Sequence, residues 1–272
     1  MARRASSRSR PRPILCAVLD VPALGPGPEA RALSLFRAGV DWIQLRDREG
    51  TTASLFQTSA ALIRAREGSL READRDPERV APRVILNRRV DVALAAGADG
   101  AHLGFDGMEP GEARTLLGEA ALIGASLHGA NEVLALARAG GADGAAGQDR
   151  RCDRLRTPTH APTHAPTHEK PAHTPWVTSF PHRSHSDYAH LAPIWDPLSK
   201  PASRPPLGLD ELERACIAGL PILAQGGLDA DRAALAVAAG AAGIAVTGQV
   251  VQNADPADPV RRLRRALDRV SA

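Results

Sequence analysis

The sequence has few of the residues on which several protein classes depend. Its three cysteines, Cys16, Cys152 and Cys216, lie far apart with no C-x-x-C spacing, so it predicts neither a zinc site nor a disulfide framework. This cysteine usage fits a reducing compartment, and we expect a cytoplasmic protein. Aromatic residues are limited to three Trp, one Tyr and four Phe. Ala, Val, Leu and Ile must therefore pack the core.

Long apolar runs and a dominant charge are also missing. No uninterrupted apolar stretch approaches the ~20 residues that cross a bilayer, so no membrane association is expected. The formal net charge is only +3, and much of the positive excess lies in residues 3–12 and 261–265. Nucleic-acid binders usually carry a basic face across the folded domain, so no nucleic-acid partner is expected. Residues 1–13, rich in Arg and Ser, precede no apolar stretch of secretory type and are predicted to be a disordered tail.

Short β-rich runs alternate with Ala-rich helical runs along the chain. This alternation is typical of parallel βαβ units, and eight pairs in 272 residues match the usual size of one barrel. The sequence therefore predicts an α/β protein, a (β/α)8 TIM barrel over residues 14–272. The predicted strands are Ile14 to Asp20, Trp42 to Arg46, Arg83 to Asn87, Gly100 to Gly104, Leu122 to His128, Tyr188 to Trp195, Pro221 to Gly227 and Gly243 to Gly248.

The alternation breaks between residues 145 and 186. This segment is rich in Pro, Thr, His and Arg and contains the repeat THAPTHAPTH, which has too little apolar content to pack. We expect a disordered insertion before strand 6.

Glycines and small residues end the seventh and eighth predicted strands. In barrels, the loops after these strands commonly hold a phosphate, because backbone N–H groups converge there on an anion. Gly226 and Gly227 follow strand 7, and Thr247 and Gly248 end strand 8. These residues predict a phosphate site; the alternative is a set of tight turns that only permit close packing.

Polar side chains end three other strands. Gln44, Arg46 and Arg48 alternate out of strand 2, where an amide and two guanidinium groups suit an oxyanion. The alternative for them is a surface salt-bridge cluster with the acids Asp41, Asp47 and Glu49. Asn87 ends strand 3 and predicts either a ligand contact or the cap of the next helix.

Strand 5 ends with two residues that lie on the same side by the alternation rule, Ser126 and His128. A histidine at that position can move protons near neutral pH, so His128 is a candidate general acid or base; a structural hydrogen bond is the alternative. His102, inside strand 4, is predicted to be a satisfied core residue. Lys200, in the loop after strand 6, can neutralise a second phosphate.

Several runs together resemble the superfamily of thiamine phosphate synthases and TenI-type thiazole tautomerases. WIQLRDREG is similar to the family's Q-[LF]-R-E-K motif, and RVILNRRVDVALAAGADGAHLG resembles N-D-x-V-D-x-A-x-x-x-x-A-D-G-x-H-x-G. Similarity extends to LIGASLHGANEVLALARAGGAD, LAPIWDPLSK and PILAQGGL, and covers about residues 14–145 and 187–270.

The resemblance implies two groups of substrate-binding residues. The side that binds hydroxymethylpyrimidine diphosphate would comprise Gln44, Arg46, Arg48, Asn87, Ser126 and Lys200. The thiazole phosphate would be held by Ser199, Gly227, Thr247 and Gly248. Both partners are small molecules, and assembly into a homo-oligomer is compatible with the fold.

The chain departs from the synthase pattern at the two magnesium carboxylates. Arg88 and Gly107 occupy those positions, and Asp106 is one residue out of register. Mg²⁺ requires oxygen ligands, which a guanidinium cannot supply, so no metal ligand is assigned and Mg²⁺ is expected only if the chain is a synthase.

Three functions follow from the resemblance. The missing carboxylates favour a thiazole tautomerase, an isomerase in which His128 moves the proton. The alternatives are a thiamine phosphate synthase, a transferase with an altered magnesium site, and a non-catalytic barrel that only binds a phosphorylated ligand.

Overall fold

Eight parallel strands close into one barrel in the computed structural model, which describes residues 11–73, 81–139, 186–198, 204–248 and 255–271. Each strand pairs with the next along the chain, and β8 pairs with β1. This confirms the predicted TIM barrel. The strands are β1 Ile14–Asp20, β2 Trp42–Arg46, β3 Arg83–Asn87, β4 Gly100–Leu103, β5 Leu122–Leu127, β6 Tyr188–Leu191, β7 Ile222–Gln225 and β8 Gly243–Val246.

Helices cover the outside of the barrel and fill the connections between strands. Where a helix meets the next strand, glycines with positive φ end it, as at Gly97 (φ 70°) and Gly240 (φ 101°). Among the described residues, none of the helices is long and apolar enough to cross a membrane. The helices are α1 Val21–Leu24, α2 Pro28–Ala38, α3 Thr52–Ala73, α4 Val90–Ala96, α5 Pro110–Leu117, α6 Ala130–Ala139, α7 Gly208–Cys216, α8 Ala230–Ala238 and α9 Ala257–Ser271.

Alternation along the strands divides the core into two layers. Residues of one parity, such as Leu15 and Ile43, pack outward against the helices. Residues of the other parity fill the barrel, where Trp42 and Tyr188 meet edge to face at a centroid distance of 5.0 Å. A Cβ atom on Gly124 would lie 2.3 Å from the Tyr188 ring, so the glycine makes room for this large side chain.

Three buried aspartates fasten neighbouring strands at the amino-terminal end of the barrel. Each directly precedes an even-numbered strand, accepts the N–H of a residue near the start of the strand before it, and pairs with a buried helix arginine. The units are Asp41 with Leu15 N (2.8 Å) and Arg264 (3.0 Å), Asp99 with Val84 N (2.8 Å) and Arg66 (2.8 Å), and Asp187 with Ile123 N (2.9 Å) and Arg114 (2.6 Å).

Five strands end earlier than predicted. The largest difference is in β6, which ends at Leu191 rather than Trp195, because Pro193 has no N–H for the ladder. β4, β5, β7 and β8 end one or two residues before the predicted boundaries. The glycines and polar residues beyond these strand ends lie in the loops at the carboxyl-terminal end of the barrel. Of the predicted tail and insertion, only residues 11–13 and 186 are among the described residues, so both remain predictions.

Candidate active site

The carboxyl ends of the eight strands face one end of the barrel, where barrel enzymes hold their active sites. Gln44 and Asn87 lie there on neighbouring strands, and Gln44 Nε2 donates to Asn87 Oδ1 at 3.0 Å. Gln44 is 3% exposed, and its Oε1 has no hydrogen-bond partner among the described residues. A buried acceptor of this kind can receive a hydrogen bond from a ligand. The capping alternative for Asn87 is wrong, because Arg89 is the N-cap of α4 and no side chain caps it.

Arg46, at the end of β2, forms a two-point ion pair with Asp20 at the end of β1. Arg46 Nε lies 2.6 Å from Asp20 Oδ1, and Nη2 lies 2.8 Å from Oδ2. These hydrogen bonds lower the pKa of Asp20 below its ordinary value. The salt-bridge alternative correctly gives Arg46 an ion pair, but the carboxylate is that of Asp20 and not one of the predicted acids Asp41, Asp47 and Glu49. Arg48 is exposed beside this pair. The sequence reasoning missed Asp20, although its place at a strand end was a usable signal.

The side chain of Ser126 is hydrogen-bonded to a buried histidine inside the barrel. His102 Nε2 lies 2.9 Å from Ser126 Oγ, and His102 Nδ1 lies 3.3 Å from the Tyr188 hydroxyl. His102 is therefore a satisfied core residue, as predicted. His190 stacks beside it with a centroid distance of 4.1 Å, and burial lowers the pKa of His190 to about 3. The sequence reasoning missed Tyr188 and His190, although a polar residue inside a predicted strand was the same signal that identified His102.

His128 follows β5 with its ring half-buried at the active end. Nδ1 lies 3.2 Å from the carbonyl oxygen of Ala192. A carbonyl only accepts hydrogen bonds, so Nδ1 carries the proton and Nε2 of the neutral ring is an acceptor. The His128 backbone N–H donates to Glu132 at 2.7 Å, which anchors the residue to α6. The side chain can therefore both fill the structural role and offer a base to a ligand.

Gly226 and Gly227 lie directly against the segment that follows β6. A Cβ on Gly227 would lie 2.2 Å from the Asp196 carbonyl oxygen, and the residue has φ 61°. The Gly227 carbonyl accepts a hydrogen bond from Arg232 at 2.7 Å. Close packing thus requires these glycines, whether or not they also bind phosphate. Thr247 and Gly248 follow β8 half-buried, while Ser199 and Lys200 lie outside the described residues.

Of the two positions at which the resemblance implies a magnesium carboxylate, one carries Arg88, which forms an ion pair with Asp106, and the other carries Gly107. Arg88 Nη2 lies 2.7 Å from Asp106 Oδ2, and Gly107 has no side chain to contribute. Within the described ranges, no three His, Cys, Asp or Glu side chains lie close enough to hold a metal ion. One carboxylate already paired with a guanidinium does not meet the oxygen-ligand needs of Mg²⁺. The residues present therefore do not fit this metal.

Comparison with known proteins places the barrel in a family. The model of the family described as thiamine monophosphate synthase matches residues 27–147 and 173–250. The chain belongs to the thiamine monophosphate synthase family. A thiamine-phosphate synthase of Methanoculleus marisnigri is 33% identical over 86% of this chain and 83% of its own length. One from Chloroflexus aurantiacus is 31% identical over 83% of this chain and 79% of its own length.

Solved structures support the fold assignment of this thiamine monophosphate synthase family member. A thiamine phosphate pyrophosphorylase from Pyrococcus furiosus superposes with a TM-score of 0.66 at 22% identity, covering 96% of this chain and 98% of that chain. The predicted family, barrel and enzyme class are thus confirmed. The names of the relatives favour the synthase over the tautomerase, which the sequence had favoured.

Proposed function

We propose that this enzyme is a thiamine phosphate synthase, which joins hydroxymethylpyrimidine diphosphate to thiazole phosphate and releases pyrophosphate. The proposal rests on family membership together with the polar groups at the ends of β2, β3 and β5. These groups combine guanidinium and amide side chains, as a diphosphate-bearing substrate requires.

In this proposal the pyrimidine diphosphate lies over the ends of β2 to β5. Gln44 Oε1, buried and without a partner among the described residues, accepts a hydrogen bond from the substrate. Arg46 keeps its geometry through Asp20 and directs its remaining N–H groups to a phosphate oxygen. The other residues proposed for this side are Arg48, Asn87, Ser126 and Lys200.

The thiazole phosphate is proposed to bind across the loops after β6, β7 and β8. Gly227, Thr247 and Gly248 offer backbone groups with little side-chain obstruction, and Ser199 adds a hydroxyl. This arrangement puts the two substrates at neighbouring parts of one barrel end.

The reaction needs charge stabilisation more than proton transfer. A thiazole atom forms a bond to the pyrimidine's methylene carbon while the bond from that carbon to the diphosphate oxygen breaks. The electron pair of the broken bond leaves with pyrophosphate, so fixed cationic groups around that oxygen lower the barrier. No proton need move if the thiazole nitrogen is the nucleophile.

Tautomerisation is the second candidate, and the ring of His128 supports it. An unprotonated Nε2 beside a ligand can remove a proton from carbon and return it elsewhere. The two candidates therefore differ in their need for His128, which the synthase reaction does not use as a base.

The test is product formation by the purified protein. Hydroxymethylpyrimidine diphosphate and thiazole phosphate are incubated with the enzyme, with MgCl2 or with EDTA, and thiamine phosphate is quantified by chromatography. The thiazole carboxylate phosphate is supplied in a parallel assay, with His128→Asn as the matched variant. Thiamine phosphate formed by both wild type and His128→Asn supports the synthase.

Other outcomes separate the alternatives. Isomerisation of the carboxylate that His128→Asn loses, without thiamine phosphate, would replace the synthase by the tautomerase. Binding of thiazole phosphate with neither reaction would leave a barrel that only binds its ligand.

A further inference from the structure

Arg88 combines an uncommon backbone conformation with a side chain that extends from the end of β3 to the loop after β4. Of the non-glycine residues in the described part of the chain, Arg88 alone has a positive φ, 67°. Its N–H donates to the His102 carbonyl at 2.8 Å, which ties the end of β3 to β4. Asp, Asn and Gly adopt this conformation more readily than Arg, so local backbone preference does not explain the arginine.

The guanidinium of Arg88 extends from the end of β3 to the loop after β4. It lies close to Gly104, where an added Cβ would be 3.6 Å from Nη1, and it contacts Asp106 through Nη2. A guanidinium has five N–H donors, and only one is directed to Asp106. Both side chains are about half exposed, at 48% and 47%, so a ligand from solvent can reach them.

An exposed ion pair between single side chains contributes little to stability, so a phosphate oxygen can take the place of Asp106 at low cost. Arginine binds phosphate through paired, charge-assisted hydrogen bonds. Arg46 and Arg48 extend from the neighbouring strand β2. Arg88 therefore adds a permanent cation to the side of the barrel that already carries two.

We propose that Arg88 takes the place of the divalent cation, so that this protein binds a diphosphate without Mg²⁺. The inference rests on the proposed function for the identity of the ligand and deepens it. Asp106 acts as a competing anion that holds the Arg88 guanidinium in position while the site is empty.

Titration calorimetry with inorganic pyrophosphate tests the proposal directly. Wild-type protein is expected to bind pyrophosphate in EDTA with a Kd within about threefold of that in MgCl2. Arg88→Gln is expected to weaken binding in EDTA on the order of tenfold or more, because charge-assisted bonds to phosphate are lost. Arg88→Asp is expected to bind only when Mg²⁺ is present.

Two controls make the result specific to this side chain. Arg89→Gln removes the same charge one residue along, where the guanidinium is held by Asp91 and Thr52, and it is expected to bind like wild type. Asp106→Asn keeps Arg88 and removes its competitor, so pyrophosphate binding in EDTA is expected to be at least as tight. Circular dichroism verifies that each variant folds.

The proposal is overturned if wild-type protein binds pyrophosphate only with Mg²⁺, if Arg88→Gln binds like wild type, or if Asp106→Asn abolishes binding. Its failure can be told apart from that of the proposed function. Thiamine phosphate formed only with Mg²⁺ keeps the synthase and rejects Arg88 as the cation. Pyrophosphate bound in EDTA without any synthesis keeps Arg88 and rejects the synthase.

Discussion

At the scale of single residues, the hydroxyl of Ser126 is oriented by two side chains buried beneath it. Burial raises the pKa of Tyr188, so its phenol stays protonated and can donate to Nδ1 of His102. His102 then carries its proton on Nε2 and donates to Ser126 Oγ. In this tautomer the Ser126 hydroxyl hydrogen remains free for a phosphate oxygen; in the other it is used by His102.

Replacing Tyr188 by Phe tests this orientation, because only the hydroxyl is removed. We expect the KM for hydroxymethylpyrimidine diphosphate to rise several-fold, with kcat little changed and a stability loss of about 1 kcal/mol. Steady-state kinetics and urea denaturation measure the two effects. In a Ser126→Ala background the same change should have no further effect on KM; an equal rise there would contradict the orientation by Tyr188.

At the scale of elements, the sequence predicts strand cores well and their ends poorly. The start of every strand except β7 is correct, because each strand is a short β-rich run that is buried along most of its length. Five of the predicted carboxyl ends extend too far. Four of them include one or two glycine or polar residues of the following loop. The β6 prediction instead continues through apolar residues such as Ala192 and Trp195. Only the ladder, interrupted at Pro193, excludes them.

For the candidate site, the sequence predicts the positions of single residues but not their hydrogen-bond partners. Residues within strands, such as Gln44 and Asn87, lie where alternation predicts them. Their partners do not follow from sequence: Asp20 with Arg46 and His102 with Ser126 meet across neighbouring strands, and no local pattern encodes such pairs.

The glycine turn after β7 supplies a test at this scale. Gly227→Ala places a Cβ against the Asp196 carbonyl oxygen and also disfavours φ 61°. We expect the displaced segment to weaken thiazole phosphate binding on the order of tenfold and to destabilise the protein by about 1–3 kcal/mol.

Gly97→Ala is the matched control for this turn. Gly97 has φ 70°, yet an added Cβ meets no atom within 4 Å. Gly97→Ala should therefore destabilise the protein through its positive φ, as Gly227→Ala does, but leave the affinity for thiazole phosphate unchanged. Calorimetry on both variants would contradict the assigned role of Gly227 if the two affinities matched wild type.

At the scale of the whole molecule, the three aspartate units stabilise the amino-terminal end of the barrel by joining β1 to β2, β3 to β4 and β5 to β6. Asp187→Ala leaves Arg114 buried without its carboxylate and frees the N–H of Ile123. We expect the free energy of unfolding to decrease by about 3–5 kcal/mol, as measured by urea denaturation. Glu29→Ala breaks the exposed pair with Arg64 and should cost at most ~1 kcal/mol. Equal losses in the two variants would show that burial does not set the cost.

The two buried histidines predict a pH dependence of global stability. His190 has a pKa of about 3 in the folded protein, whereas an unfolded histidine titrates near 6.5. Between these pKa values the unfolded chain binds one more proton than the folded chain. The contribution of His190 to the free energy of unfolding is therefore fully present above about pH 6.5 and decreases as the pH falls below it. Burial also lowers the pKa of His102, which adds to the effect.

The slope of stability against pH isolates this contribution. Urea denaturation between pH 7.5 and 5 should give a smaller loss for His190→Leu than for wild type, by up to ~1.4 kcal/mol per pH unit. An unchanged slope would assign the acid sensitivity in this pH range to other groups, such as the buried imidazole of His102.

The buried aspartates at one end of the barrel have a consequence for how its chemistry can diverge. The buried aspartate–arginine pairs lie where β2, β4 and β6 begin, while the groups that we propose to contact the ligands lie where the strands end. Replacement of Arg88 by an acidic residue therefore leaves the three aspartate–arginine pairs intact. Single substitutions at the end of the barrel that we propose binds the diphosphate are therefore expected to change its charge with little loss in the free energy of unfolding.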